Sequence, residues 1–148
     1  MPLNLSGTSK IYNVTMKERK IMECSHKFFK CNLCGNFAGM IHNSGARMVC
    51  CGQEMTEMIP NTEEASTEKH IPAVTKSGES ISVQVGSVPH PMEEGHHISF
   101  VYVGTEHGGQ RKCLDVGAEP KCEFAFTNDK PVSVYAYCNL HGLWEAKL

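Results

Sequence analysis

Four thiols fall in two pairs in the first third of the chain, Cys31 and Cys34 in "KCNLCG" and Cys50 and Cys51 in "VCCGQE". A Cys-x-x-Cys turn brings two thiolates to one point, and the glycine after it, Gly35, lets backbone N–H groups approach sulfur. The second pair completes a four-sulfur tetrahedron. Adjacent cysteines can face one ion only across a bent backbone, so this corner is expected to be distorted, with Gly52 available for the bend. Four sulfurs suit iron and zinc alike. A redox Cys-x-x-Cys would need a βαβ pattern around it, and the sequence has none.

A second set is scattered along the rest of the chain: His70 in "EKHIP", His90 and His96 in "HPMEEGHHI", and Cys138 and His141 in "YCNLHGLW". A single thiolate with several imidazoles points to a redox-active transition metal more than to structural zinc, which prefers four ligands in a closed tetrahedron. Five protein ligands leave one octahedral position open, and an open position on a redox metal implies small-molecule chemistry. A catalytic cysteine would need one histidine and an oxyanion hole, and would leave three histidines unexplained.

The elements that must position these residues are mostly strands. Residues 1–27 are polar and without clear period. Residues 28–59 are compact and rich in Cys and Gly, and "PNTEEASTE" at 60–68 reads as a linker. From Ile71 onward the pattern is β: two strands joined at Lys76–Ser77–Gly78, a long hairpin turning at His107–Gly108–Gly109, and two strands, "KCEFAFT" and "PVSVYAYC", parted at Asn128–Asp129–Lys130. Short antiparallel strands at this spacing favour a sandwich, whose end loops bring distant segments together. His70 precedes the first strand, His90 and His96 bracket the loop before the long hairpin, and Cys138 and His141 close the last strand. These three places can meet at one end.

The 148 residues carry eight cysteines, eight histidines and a formal net charge of −2. That charge gives no general signature of nucleic-acid binding. No apolar run approaches the roughly 18 residues of a membrane span. The first 20 residues lack the apolar core of a secretory signal, so clustered Cys and His read as metal ligands in the cytoplasm. Cys113 and Cys122 read as small apolar strand residues, His26, His42 and His107 as solvated, and the scattered methionines as packing or surface. Trp144 is expected to pack near the second site and shield the Cys138 sulfur.

In order, "CNLCGN", "VCCGQEM", "EKHIP", "HPM" and "YCNLHGLW" make the chain resemble the desulfoferrodoxins, the two-iron form of superoxide reductase, from about Phe29 to Leu148. The resemblance implies a mainly β protein: a small desulforedoxin-like metal-binding module followed by an immunoglobulin-like antiparallel β-sandwich. The division expected is an extension at 1–28, the module at 29–60 and the catalytic domain at 61–148. Two iron ions are implied, one on Cys31, Cys34, Cys50 and Cys51, the other on His70, His90, His96 and His141 in a plane with Cys138 axial.

Glu68 and Lys69 match the family's glutamate, which can cap the iron, and its lysine near the open site. The implied activity is one-electron reduction of superoxide to hydrogen peroxide, with rubredoxin or a similar small protein as electron donor and a homodimer as the assembly. The chain departs from the family pattern in its leading residues, which include Cys24, in the histidine at position 97 and in Cys113 and Cys122. If the segment is extended, His96 and His97 face opposite ways and only one can ligate; spacing from His90 favours His96. Two other readings stand beside this one, a non-enzymatic iron protein for electron transfer and a structural zinc protein.

Overall fold

The computed structural model describes Cys24 and residues 26–148, so the expected extension at 1–28 lies almost wholly outside the described residues. The chain runs β1 (Phe28–Lys30), β2 (Phe37–Gly39), β3 (Val49–Cys50), β4 (Gln53–Glu54), β5 (Thr56–Glu57), α1 (Thr67–His70), β6 (Pro72–Ser77), β7 (Ser80–Val85), β8 (Ile98–Thr105), β9 (Gly109–Cys113), β10 (Lys121–Ala125), β11 (Pro131–Cys138) and β12 (Gly142–Lys147). All pairings between these strands are antiparallel.

The larger part is a two-sheet sandwich. One sheet has the order β10-β7-β6 and the other β12-β11-β8-β9. Strand β7, "SISVQV", alternates between partly exposed and buried residues, as a strand with one face on the core must. Ile81, Val83 and Val85 from β7 meet Ile98, Val101 and Val103 from β8, Phe124 from β10, and Val134, Ala136 and Cys138 from β11. The β6–β7 turn falls at Gly78–Glu79, one to two residues later than expected, with Ser77 opposite Ser80. A positive φ at the first loop residue, Gly78, is what a two-residue type II′ hairpin requires.

The last strand is not "PVSVYAYC". β12 follows it, so Cys138 and His141 lie on a tight hairpin turn, with Cys138 opposite Gly142. The alternation that signals a strand is missing in "GLWEAK" because both neighbours Leu143 and Trp144 are buried, on opposite faces as strand geometry demands.

The small strands form two sheets, β2-β1-β5 and β3-β4. Phe28 of this part is 6% exposed and inserts between Tyr102 and Tyr135, with ring centroids 5.2 and 5.3 Å away. Phe37 stands 4.7 Å from Tyr137 and 5.3 Å from Phe100. These rings come from the outer face of the four-stranded sheet, so the small part caps that face with aromatic surface. His26 joins the cap, half-buried and 5.7 Å from the Tyr102 ring. This corrects the expectation of a solvated side chain. His42 and His107 are exposed as expected.

Residues 60–68 are tied down along part of their length. The Asn61 amide clasps Glu145 of β12, accepting from its N–H at 2.8 Å and donating to its carbonyl at 3.2 Å. The Asn61 N–H donates to the Leu143 carbonyl at 3.0 Å.

Candidate metal centres

Cys31 follows β1, Cys34 closes the first turn, Cys50 ends β3 and Cys51 opens the turn to β4. Their four sulfurs lie within 4.8 Å of one another, with Cys34 to Cys50 at 3.6 Å and Cys50 to Cys51 at 3.9 Å. Sulfurs around one tetrahedral ion with bonds near ~2.3 Å stand about 3.8 Å apart, so the donor set fits such an ion. The expected distortion is at Cys51, whose φ of +52° is followed by +74° at Gly52. Two successive left-handed residues turn the second sulfur back toward the first; such a φ costs a non-glycine residue about 1–2 kcal/mol.

Backbone N–H groups of Cys34 and Leu33 hold the Cys31 thiol down to about 6. The sulfurs of Cys34, Cys50 and Cys31 push Cys51 up to about 12. Four thiols so close cannot all ionise without a cation among them.

The second cluster is built from three segments. His70 ends the single turn α1 and is 2% exposed. That turn lies against the end of β7 at Gly86, where a Cβ would stand 2.6 Å from the Lys69 carbonyl oxygen. His90 and His96 come from the β7–β8 loop, and Cys138 and His141 from the β11–β12 turn. Their five candidate ligand atoms lie within 4.8 Å of one another.

The four rings form a closed square. Centroids are 4.6 Å apart for His70–His90 and His90–His96, and 4.9 Å for His96–His141 and His141–His70. The diagonal from His70 to His96 is 6.4 Å, where a right angle at His90 would give about 6.5 Å from the two 4.6 Å sides. Neighbouring rings stand nearly perpendicular, at 72° to 87°. His70 Nε2 is 3.1 Å from both His90 Nε2 and His141 Nδ1, and the Cys138 sulfur is 3.6 Å from His141 Nδ1.

Nitrogens that close need a proton or a cation between them. Burial holds His70 and His96 below the ordinary imidazole value and His90 down to about 4, which keeps these rings neutral with lone pairs free. His96 Nε2 is buried with no hydrogen-bond partner. The donor set therefore fits a metal ion. Nδ1 of His70 lies 2.7 Å from the Ser66 carbonyl oxygen, and Nδ1 of His90 lies 2.6 Å from that of Pro91. Each carbonyl fixes a ring and its tautomer, leaving Nε2 to the ion. Sequence reasoning missed these two anchors, because a backbone carbonyl carries no residue signature.

His97 stays outside the cluster, with Nδ1 3.1 Å from the Glu93 carbonyl oxygen. Trp144 stacks on His70 at 4.8 Å and donates Nε1–H to the His141 carbonyl at 2.9 Å. Cys138 itself sits fully buried in the apolar core. Burial pushes its thiol up. Cys122 packs against the same core as expected, whereas Cys113 is exposed, a correction to its apolar reading. Glu68 and Lys69 lie on the exposed face of α1, and neither forms an ion pair among the described residues. His96 and His141 are partly exposed.

A mainly β chain with a four-cysteine module and an antiparallel sandwich holding a four-histidine, one-cysteine cluster defines a two-centre metalloprotein. The chain belongs to the desulfoferrodoxin family. The desulfoferrodoxin family model matches residues 62–147, and that of the desulfoferrodoxin N-terminal domain matches residues 25–58. A desulfoferrodoxin homolog from Archaeoglobus fulgidus is 44% identical over 80% of this chain and 94% of its own length. The desulfoferrodoxin of Nitratidesulfovibrio vulgaris is 39% identical over 85% and 99%. The crystal structure of a superoxide reductase from Treponema pallidum superimposes with a TM-score of 0.71 at 37% identity, covering 83% of this chain and 99% of that one. The two donor sets are those typical of a two-iron desulfoferrodoxin.

Proposed function

We propose that His70, His90, His96, Cys138 and His141 hold the iron at which this chain reduces superoxide, and that Cys31, Cys34, Cys50 and Cys51 hold the second. The activity is superoxide reduction, and the observation that carries it is the closed square of imidazoles beside one buried thiol. Iron bound there would supply one electron to each superoxide.

The chain's residues do the rest. His70 and His90 are buried, His96 and His141 are partly exposed, and the approach left to a small anion is the face of the square away from the Cys138 sulfur. Lys69, one residue from His70, gathers that anion, because a local cation focuses the field where the chain as a whole is weakly negative. Its ammonium also orders the water that delivers a proton. Glu68, its neighbour, is the carboxylate that would cover the open side when substrate is absent.

The module is read as residues 29–60 and the catalytic domain as 61–148. Rubredoxin or a similar small carrier is read as the electron donor. This reading rests on the family and on Leu140, 59% exposed between Cys138 and His141, as a contact point. A homodimer is read from the family alone. A cytoplasmic setting is read from the clustered thiols and imidazoles, and no helix among the described residues is long and apolar enough to cross a membrane.

Product stoichiometry tests the activity. With an electron donor in excess, each superoxide consumed should yield one hydrogen peroxide and no dioxygen. Half that peroxide, with dioxygen released, would mean dismutation, and no acceleration over buffer would leave an electron carrier.

A further inference from the structure

His96 is a member of the square that its own ring does not hold. His70 and His90 are each fixed through Nδ1 by a carbonyl. Among the described residues the His96 ring makes no hydrogen bond, and its Nε2 is buried without a partner. Its placement falls to the backbone of residues 93–97. That loop closes on itself through reciprocal bonds of Glu93 and His96 at 2.9 and 3.0 Å. Such a bridge sets the loop's shape but not its position against the Cys138–His141 turn.

Asn139 supplies that position. Its Oδ1 accepts from the His97 N–H at 2.8 Å and its Nδ2 donates to the Gly95 carbonyl at 3.0 Å. Its own backbone N–H donates to the His97 carbonyl at 3.1 Å. One side-chain amide thus grips the residues on either side of His96, and it projects from the turn that carries Cys138 and His141. We propose that Asn139 is a positioning residue for the metal centre, setting where the His96 nitrogen stands relative to the Cys138 sulfur and the His141 nitrogen.

This proposal rests on the ligand assignment above. Partners that orient a ligand typically change metal affinity 10- to 100-fold when lost. A hydrogen bond that served only the loop would change stability and nothing at the metal. The chain offers a comparison, because the Asn61 amide also accepts from an N–H and donates to a carbonyl, both of Glu145, while its backbone N–H, which glycine keeps, holds Leu143 on the other side of Trp144. Asn61 has a φ of +59°, so glycine is the substitution that removes the amide without backbone strain.

The experiment uses the iron-loaded full chain. Loss of ferric iron from the histidine–cysteine centre into excess ferric chelator is followed by the decay of its visible band, and melting is followed by circular dichroism. Asn139→Ala should speed iron loss about 10-fold or more. Asn139→Asp keeps the acceptor for the His97 N–H but not the donor, and should fall between Asn139→Ala and the unsubstituted chain. Asn61→Gly should lower the melting temperature and leave iron loss unchanged. Equal acceleration by Asn139→Ala and Asn61→Gly, or by neither, overturns the proposal. Should Asn139→Ala fail to fold, Asn139→Asp decides in the same way. His96→Ala separates the two layers. If it leaves both the band and the loss rate unaltered, the ligand assignment fails and takes the proposal with it. If it changes them while neither substitution at Asn139 does, only the positioning role fails.

Discussion

Lys30 donates a hydrogen bond from Nζ to the Tyr137 hydroxyl at 2.8 Å, and each residue is the chain neighbour of a cysteine in a different cluster, Lys30 of Cys31 and Tyr137 of Cys138. The same ammonium sits 5.6 Å from the centre of the Tyr137 ring. The contact is partly buried and joins the small part to the outer face of the sandwich. Hydrogen bonds to a charged group contribute about 1.5–3 kcal/mol. Tyr137→Phe and Lys30→Met should each lower stability to urea by about 1–2 kcal/mol. The double substitution should cost less than the sum, with a coupling of about 1 kcal/mol. Additive losses would show that the bond holds nothing.

Docking by aromatic side chains does not depend on the ion in the small part. Phe28 is anchored by Tyr102 and Tyr135 rather than by the four sulfurs. Cys51→Ser should therefore abolish the visible band of the four-cysteine iron and keep the rate with superoxide within about threefold. Phe28→Ala, which empties a buried aromatic site, should cost about 3–5 kcal/mol of stability. A Cys51→Ser protein that retains its second iron but no longer reacts with superoxide would show that the centres are not separable.

Much of this was legible in the sequence, because cysteine and histidine ligands announce themselves by type and spacing. The nine residues read as metal ligands are the nine that the structure brings into two clusters. The distortion at Cys51 followed from two adjacent cysteines having to face one point. What could not be read has more than one physical cause, and burial on two faces is the first. β12 shows no alternation because Leu143 packs under the aromatic cap while Trp144 stacks on His70. His26 has a polar sequence neighbourhood, and only the fold places Tyr102 and Tyr135 beside it. Hydrogen bonds through backbone, such as those to the Ser66 and Pro91 carbonyls, leave no mark in residue type.

Acid should weaken the sandwich through the imidazoles. His90 is held at about 4 by burial, below its ordinary 6.5, and His70 and His96 shift the same way. A depressed histidine contributes stability that is present above about 6.5. It is lost as pH falls toward 4, because the unfolded chain then binds a proton that the folded chain refuses. The metal-free protein should show a melting temperature that is flat above pH 7 and falls between about 6.5 and 4. His90→Asn should make that slope shallower. Iron should raise the melting temperature and be released over a similar range, since a protonated imidazole cannot ligate. A melting temperature independent of pH across that window would show that the rings are not held neutral by the fold.

Lys69 is the residue through which the chain's electrostatics should reach its substrate. It sits on the exposed face of α1, its carbonyl packed at Gly86, so its backbone is held next to His70. Superoxide is a small anion, and a formal net charge of −2 offers it no overall attraction. A cation held next to the square would focus the field there, and steering of this kind raises association rates by about 10 to 10³. Lys69→Ala should lower the second-order rate with superoxide about tenfold or more while iron content and the visible spectrum stay the same. Glu68→Ala removes the neighbouring negative charge and should leave that rate equal or higher. Screening gives a second readout. The unsubstituted rate should fall as salt rises, because the field decays over about 10 Å at 0.1 M ionic strength, and Lys69→Ala should lose much of that dependence. Rates measured by pulse radiolysis at several salt concentrations decide the matter: identical rates and identical salt slopes for the two proteins would remove Lys69 from the reaction.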